Sequence, residues 1–134
     1  MKRVLICDDD ALICSLFVRF FETAGYETDM ALGGVEAAER CAQHLPDVVV
    51  TDLLMPEGDG LTLIHHLREK YPAVSIIAMT GAPDAYLLQE AERLGAHSQL
   101  RKPFDMRRLL TAVQSVLRPA TAETLSAEPE PLAV

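Results

Sequence analysis

Short apolar runs recur along the chain between longer stretches whose apolar residues repeat every three or four positions. The runs are Val4-Leu5-Ile6-Cys7, Tyr26 to Ala31, Val48-Val49-Val50, Val74 to Met79 and a weaker Ala96 to Leu100. Strands that alternate with helices in this way predict an α/β fold. The first, third and fourth runs are almost continuously apolar, as parallel strands covered by helices on both faces must be. The second alternates Tyr26, Thr28 and Met30 with Glu27 and Asp29, which predicts a half-exposed edge strand.

The intervening helices are read from Val35, Ala38, Ala42 and Leu45, then Leu61, Ile64 and Leu67, then Leu87, Ala91 and Leu94. Gly25 and Gly95 fall where a helix ends in a left-handed turn, and Pro46 and Pro72 stop the second and third helices. Asp105 is placed to cap a last helix carrying Met106, Leu110, Val113 and Leu117. The first helix, Ala11 to Ala24, shows a broad apolar face of Leu12, Ile13, Leu16, Phe17, Phe20 and Phe21, which suits a centrally packed position. From Pro119 onward the composition turns to Pro, Ala, Thr and Glu, so residues 119–134 are expected to form an unstructured tail behind a domain spanning 1–118.

Composition narrows the function classes. A chain of 134 residues can bury one core, and 12 basic against 20 acidic side chains give a net charge of −8. That charge argues against nucleic acid as a partner and for metal ions or cationic surfaces. Cys7, Cys14 and Cys41 make an odd set in apolar surroundings, which fits a reducing cytoplasm better than a disulfide framework. The run after Met1-Lys2-Arg3 is cut short by Asp8-Asp9-Asp10, so it is no signal peptide, and no stretch approaches the roughly 20 apolar residues of a membrane span.

The chemistry gathers at one sheet edge. In open parallel sheets ligands bind outside the carboxyl ends of the strands, where the strand order reverses. Asp8 and Asp9 follow the first strand, Asp52 the third, Thr80 the fourth and Lys102 the fifth. Three close carboxylates raise one another's pKa unless a cation neutralises them, and a hard, oxygen-seeking ion such as Mg²⁺ does so. His65 and His66 point in different directions on a helix and offer no zinc pair. With a metal present, Thr80 supplying a hydrogen bond and Lys102 an ion pair, the site is suited to a phosphoryl group. Asp52 stands alone on the central strand end and is the candidate nucleophile, with Asp8 and Asp9 as metal holders. Singly, each residue has a plainer role, such as Asp9 or Asp10 capping the first helix; jointly, their placement at one edge favours the site.

Asp8-Asp9, Asp52 with Met55-Pro56 and Asp59-Gly60, Thr80, and Lys102-Pro103-Phe104 together resemble the receiver domain of two-component response regulators, over roughly Lys2 to Arg118. The resemblance implies a flavodoxin-like sheet of order 2-1-3-4-5 with five helices. It implies Mg²⁺ held by Asp8, Asp9, Asp52 and the carbonyl of Leu54, and phosphorylation of Asp52 by a phosphohistidine of a histidine kinase or histidine phosphotransfer protein. It further implies Thr80 as switch hydroxyl, Lys102 as phosphate partner, a cis bond before Pro103 and a downstream protein target reached through the surface of the fourth helix, fifth strand and fifth helix. On this reading the chain is a cytoplasmic phosphoacceptor rather than a conventional enzyme, with neither nucleic acid nor a membrane as partner. A single-domain regulator with no attached effector is expected, with a relay intermediate or a receiver from a larger regulator as alternatives.

Two positions depart from the family pattern. Gln99 stands where a switch aromatic is usual, and is expected to hydrogen-bond across that output surface instead. Leu54 and Ala82 occupy the positions that influence hydrolysis of the acyl phosphate, and neither side chain orients water, so slow self-dephosphorylation is expected. Arg101, Lys102, Arg107 and Arg108 form a basic cluster that reads either as a solvated helix face or as a dock for an acidic partner. The rival enzymatic reading is a haloacid dehalogenase-like phosphatase using Asp8 of Asp8-Asp9-Asp10; it leaves Asp52-Leu53-Leu54-Met55-Pro56 without a task. A flavin binder fits less well, since a triple aspartate repels the flavin phosphate.

Overall fold

The computed structural model describes residues 1–56, 59–81 and 85–117. The tail expected over 119–134 and the hydrolysis position Ala82 lie outside them. Strands β1 (Arg3–Cys7), β2 (Glu27–Ala31), β3 (Val48–Asp52), β4 (Ser75–Thr80) and β5 (Ser98–Arg101) alternate with helices α1 (Ala11–Thr23), α2 (Gly34–Gln43), α3 (Gly60–Lys70), α4 (Ala85–Leu94) and α5 (Met106–Val116). The strands form one parallel sheet of order β2-β1-β3-β4-β5, the flavodoxin-like order.

The period-two geometry of a strand explains the continuous apolar runs. In β1, Val4 and Ile6 face the layer of α1 and α5, with Val48, Val50, Ile77, Met79 and Leu100 beside them. Leu5 and Cys7 face the other way, with Val49, Ile76 and Ala78, into the layer of α2, α3 and α4. Edge strand β2 is half exposed, as its alternation predicts.

Element ends shift for a physical reason. Gly25 and Gly95 take positive φ, 99° and 116°, and close α1 and α4. The next residue's N–H then turns back into the helix, Tyr26 to the Phe21 carbonyl and Ala96 to the Ala91 carbonyl. Tyr26 and Ala96 are therefore helix closures rather than strand residues, and β2 and β5 start later than the apolar runs suggest.

The first helix also differs from expectation. Cys14, Phe17 and Phe21 make its buried stripe, while Leu12 and Leu16 are 68% and 52% exposed. At 100° per residue both lie opposite Cys14 and fall off the packed face, where Ile13 and Phe20 lie partly buried beside the stripe, and α1 packs against β1, β2 and α5 on one side. No helix among the described residues is long and apolar enough to cross a membrane.

His97 clasps β4 just before β5 begins. Its N–H donates to the Ile76 carbonyl (2.7 Å), and its Nδ1 accepts the Ile76 N–H (3.0 Å). Burial, with help from the nearby Arg68 guanidinium, holds the imidazole below the ordinary histidine pKa. A depressed pKa means that the unfolded chain binds the proton more readily. The clasp's contribution is then complete above about pH 6.5 and is lost as the pH falls through the folded-state value. Urea midpoints at mildly acidic and neutral pH should differ less in His97→Ala than in the wild type; an unchanged difference would refute the role of this histidine.

Candidate functional site

The strand order reverses between β1 and β3, and the acidic residues gather at the carboxyl ends of these two strands. Asp8 follows β1, fixed by its N–H to the Ala31 carbonyl (3.1 Å). Its Oδ1 accepts the Asp10 N–H (2.9 Å), and Asp10 caps α1 by accepting from Leu12 and Ile13 N–H. Asp10 thus takes the capping role, leaving Asp8 and Asp9 to the site. Cys14 Sγ lies 3.3 Å from the Asp8 carbonyl, within hydrogen-bond reach, which ties the first turn of α1 to the same loop.

Asp52 ends β3. Its Oδ1 accepts the Leu54 N–H at 3.4 Å, and the following loop is held by Leu53 N–H to the Met79 carbonyl and Gly60 N–H to the Leu53 carbonyl. Thr80 ends β4 and is fully buried, and its carbonyl accepts the Lys102 N–H (2.8 Å). The Lys102-Pro103 bond is cis, as the resemblance implied.

Carboxylate oxygens of Asp8, Asp9 and Asp52 all lie within 4.8 Å of one another, with Asp8 and Asp52 buried and Asp9 exposed. Lys102 reaches over from β5, its Nζ 3.1 Å from Asp8 Oδ2 and 3.4 Å from Asp52 Oδ2. Burial pushes the Asp52 carboxyl above the usual aspartate pKa, and the Asp8 carboxylate adds to this; Lys102 and the Leu54 N–H oppose it. Burial works against the Lys102 charge too, but Asp52 and Asp8 overcome it and hold the ammonium above the ordinary lysine value. Three acids against one base leave an excess of negative charge. An all-oxygen donor set of this kind fits a hard divalent cation such as Mg²⁺.

A family model of the response regulator receiver domain matches residues 4–114. The chain belongs to this family. The receiver is 32% identical over 120 residues to the DNA-binding dual master transcriptional regulator RpaA of Synechocystis, a match covering 88% of this chain and 50% of that protein. It is 30% identical over 116 residues to sporulation initiation phosphotransferase F of Bacillus subtilis, covering 87% of this chain and 94% of that one. A CheY-like receiver domain protein from Methanospirillum hungatei superposes with a TM-score of 0.84 at 26% identity, covering 87% of this chain and 94% of the other. The chain spans about half the length of several curated relatives it matches, RpaA among them.

The receiver's remaining named positions fall as follows. Leu54 is 52% exposed beside Asp52 and brings no polar side-chain atom there. Among the described residues Gln99 makes no bond across the output surface: its Nε2 donates to the Ala96 carbonyl (3.1 Å), three residues back. A strand-edge amide finds that carbonyl nearby because Ala96 belongs to the helix closure of α4. One residue whose task the sequence did not reveal is Gly60. A side chain there would press on the Asp52 carbonyl oxygen and come within 2.7 Å of Leu53 Cα.

Proposed function

We propose that this receiver accepts a phosphoryl group on Asp52 from a phosphohistidine of a histidine kinase or histidine phosphotransfer protein. A carboxylate oxygen of Asp52 attacks phosphorus and the P–N bond breaks. The electron pair returns to the imidazole, which takes up a proton, and an acyl phosphate forms. Asp8, Asp9, Asp52 and the Leu54 carbonyl would hold Mg²⁺, which when bound neutralises charge on the phosphoryl oxygens. Lys102 supplies the second positive charge and then pairs with the phosphoryl group, while the Thr80 hydroxyl reports its presence. The signal leaves through the surface of α4, β5 and α5 to a downstream protein, in the cytoplasm.

The observation that carries this reading is the Lys102 ammonium shared between Asp8 and Asp52 at a three-carboxylate cluster, in a chain of the receiver family. Radiolabelled phosphotransfer from a panel of histidine kinases, followed by peptide mapping, tests it. Label on Asp52, absent from Asp52→Asn, is expected. Label on Asp8, or unchanged labelling of Asp52→Asn, overturns it.

The exposed apolar side chain of Leu54 also bears on lifetime. It cannot orient an attacking water, so the acyl phosphate should be long-lived, suited to lasting output or to onward transfer. Leu54→Asn should shorten the half-life severalfold in a dephosphorylation time course; an equal half-life would show that Leu54 merely packs.

A further inference from the structure

We infer that the recess at the junction of β5 and α5 docks an acidic segment of the downstream protein, one bearing an apolar residue flanked by carboxylates. The inference rests on the proposed output role of this surface and names the partner's chemistry. The recess has a volume of about 470 Å³ and is lined by Arg101, Lys102, Pro103, Phe104, Asp105 and Arg108. Four of the chain's 12 basic residues, Arg101, Lys102, Arg107 and Arg108, fall within eight positions here.

Among the other described basic residues all but Arg19 are engaged. Lys2, Arg3, Arg40 and Arg93 carry ion pairs, Arg68 holds the Pro72 carbonyl and Lys70 lies over the Tyr71 ring. Within the cluster Lys102 is turned to Asp8 and Asp52. Arg101, Arg107 and Arg108 have no side-chain partner among the described residues, a condition that only Arg19 shares. The one acid in the recess wall, Asp105, already accepts the Arg108 N–H at 2.8 Å as the cap of α5. Phe104 and Pro103 give the recess its apolar lining, with Phe104 against Phe17, ring centroids 6.2 Å apart. The Arg101 and Arg108 guanidiniums lining one recess with Pro103 and Phe104 match a hydrophobic anchor with carboxylates beside it, the carboxylates taking paired hydrogen bonds.

Range decides between an acidic protein segment and a nucleic acid. Exposed charges act over roughly 8–10 Å at ordinary salt. A short segment therefore feels the local arginines, whereas a long phosphate backbone also meets the surface of a chain of net charge −8.

The test uses the full chain and a fluorescein-labelled peptide that alternates Glu and Leu, with a Gln-for-Glu peptide and a DNA duplex as competitors. Fluorescence anisotropy should show salt-sensitive binding, weakened at least about tenfold in Arg101→Glu/Arg108→Glu and less in the Gln double variant. Labelling of Asp52 by a small-molecule phosphodonor is measured on the same preparations. Normal labelling with peptide binding absent, or unaffected by the double variant, overturns the docking inference alone. Loss of labelling in the wild type overturns the phosphoacceptor reading instead. Equal binding of the Gln peptide, displacement by the duplex, or a dimer that the Glu variant converts to monomer would each assign the recess to another partner and refute the proposal.

Discussion

In Lys102→Met stripped of divalent cations, the folded state should lose about 3 kcal/mol, and Mg²⁺ should restore most of it. Removing one partner of a buried ion pair typically costs about 3–5 kcal/mol, because the remaining charge has no partner and little water. Here the variant leaves Asp8 and Asp52, which are 2% and 8% exposed, beside Asp9 with no cation. The Lys102 side chain is itself 28% exposed, so water screens part of the interaction and the lower end of that range applies. Methionine keeps the aliphatic stem and so isolates the charge. The expected result in urea denaturation is a midpoint well below the wild type in chelator. The gap should narrow in millimolar Mg²⁺, since a ligand that binds only the folded state stabilises it by mass action. Phosphoryl acceptance should fall at least about 100-fold even with Mg²⁺, as one preorganised positive group is then missing from the transferring phosphoryl group. Equal midpoints in chelator would mean that Lys102 does not compensate the carboxylates, and the electrostatic account of the site would fail.

That prediction draws on a contact that the sequence does not contain. The convergence of Asp8, Asp52, Thr80 and Lys102 at one edge is legible because covered parallel strands must be apolar, so polar residues mark their ends, whereas the strand order is implied only by the resemblance to the receiver family. What is illegible is how the charges divide. The sequence of Asp8-Asp9-Asp10 leaves the cap open between Asp9 and Asp10 and says nothing of burial; the fold buries Asp8, exposes Asp9 and makes Asp10 the helix cap. The difference arises from the path of the loop between β1 and α1, which composition does not encode. Leu12 and Leu16 show the same limit from the apolar side. They extend the hydrophobic pattern of α1, yet the core takes up only the stripe of Cys14, Phe17 and Phe21 with Ile13, Val18 and Phe20 packed partly buried beside it. Gln99 illustrates a local competitor, where the Ala96 carbonyl left by the closure of α4 captures an amide expected to reach farther.

Gly60→Ala should be the most damaging single-methyl change near the site, costing about 3 kcal/mol and slowing phosphoryl acceptance by about 100-fold. The added Cβ would meet backbone on two sides, the Asp52 carbonyl oxygen and, at 2.7 Å, Leu53 Cα. Overpacking typically costs about 1–3 kcal/mol when side chains can shift, and backbone held by its own hydrogen bonds yields less readily. Here Gly60 N–H is bonded to the Leu53 carbonyl, and Leu53 N–H to Met79, so relief requires moving the loop that carries Asp52. A displacement of about 1 Å at a reacting group can cost about 100-fold in rate, which ties the stability loss to a functional one. Gly25→Ala is the informative comparison. Its Cβ would meet nothing within 4 Å, and only the positive φ of 99° opposes it. That strain is worth about 1 kcal/mol and lies at the far end of α1 from the site, so phosphoryl acceptance should be unchanged. Urea denaturation and initial phosphotransfer rates on both variants separate the two causes. If Gly60→Ala matches Gly25→Ala in both measurements, the close approach of α3 to the Asp52 backbone is not what positions the nucleophile.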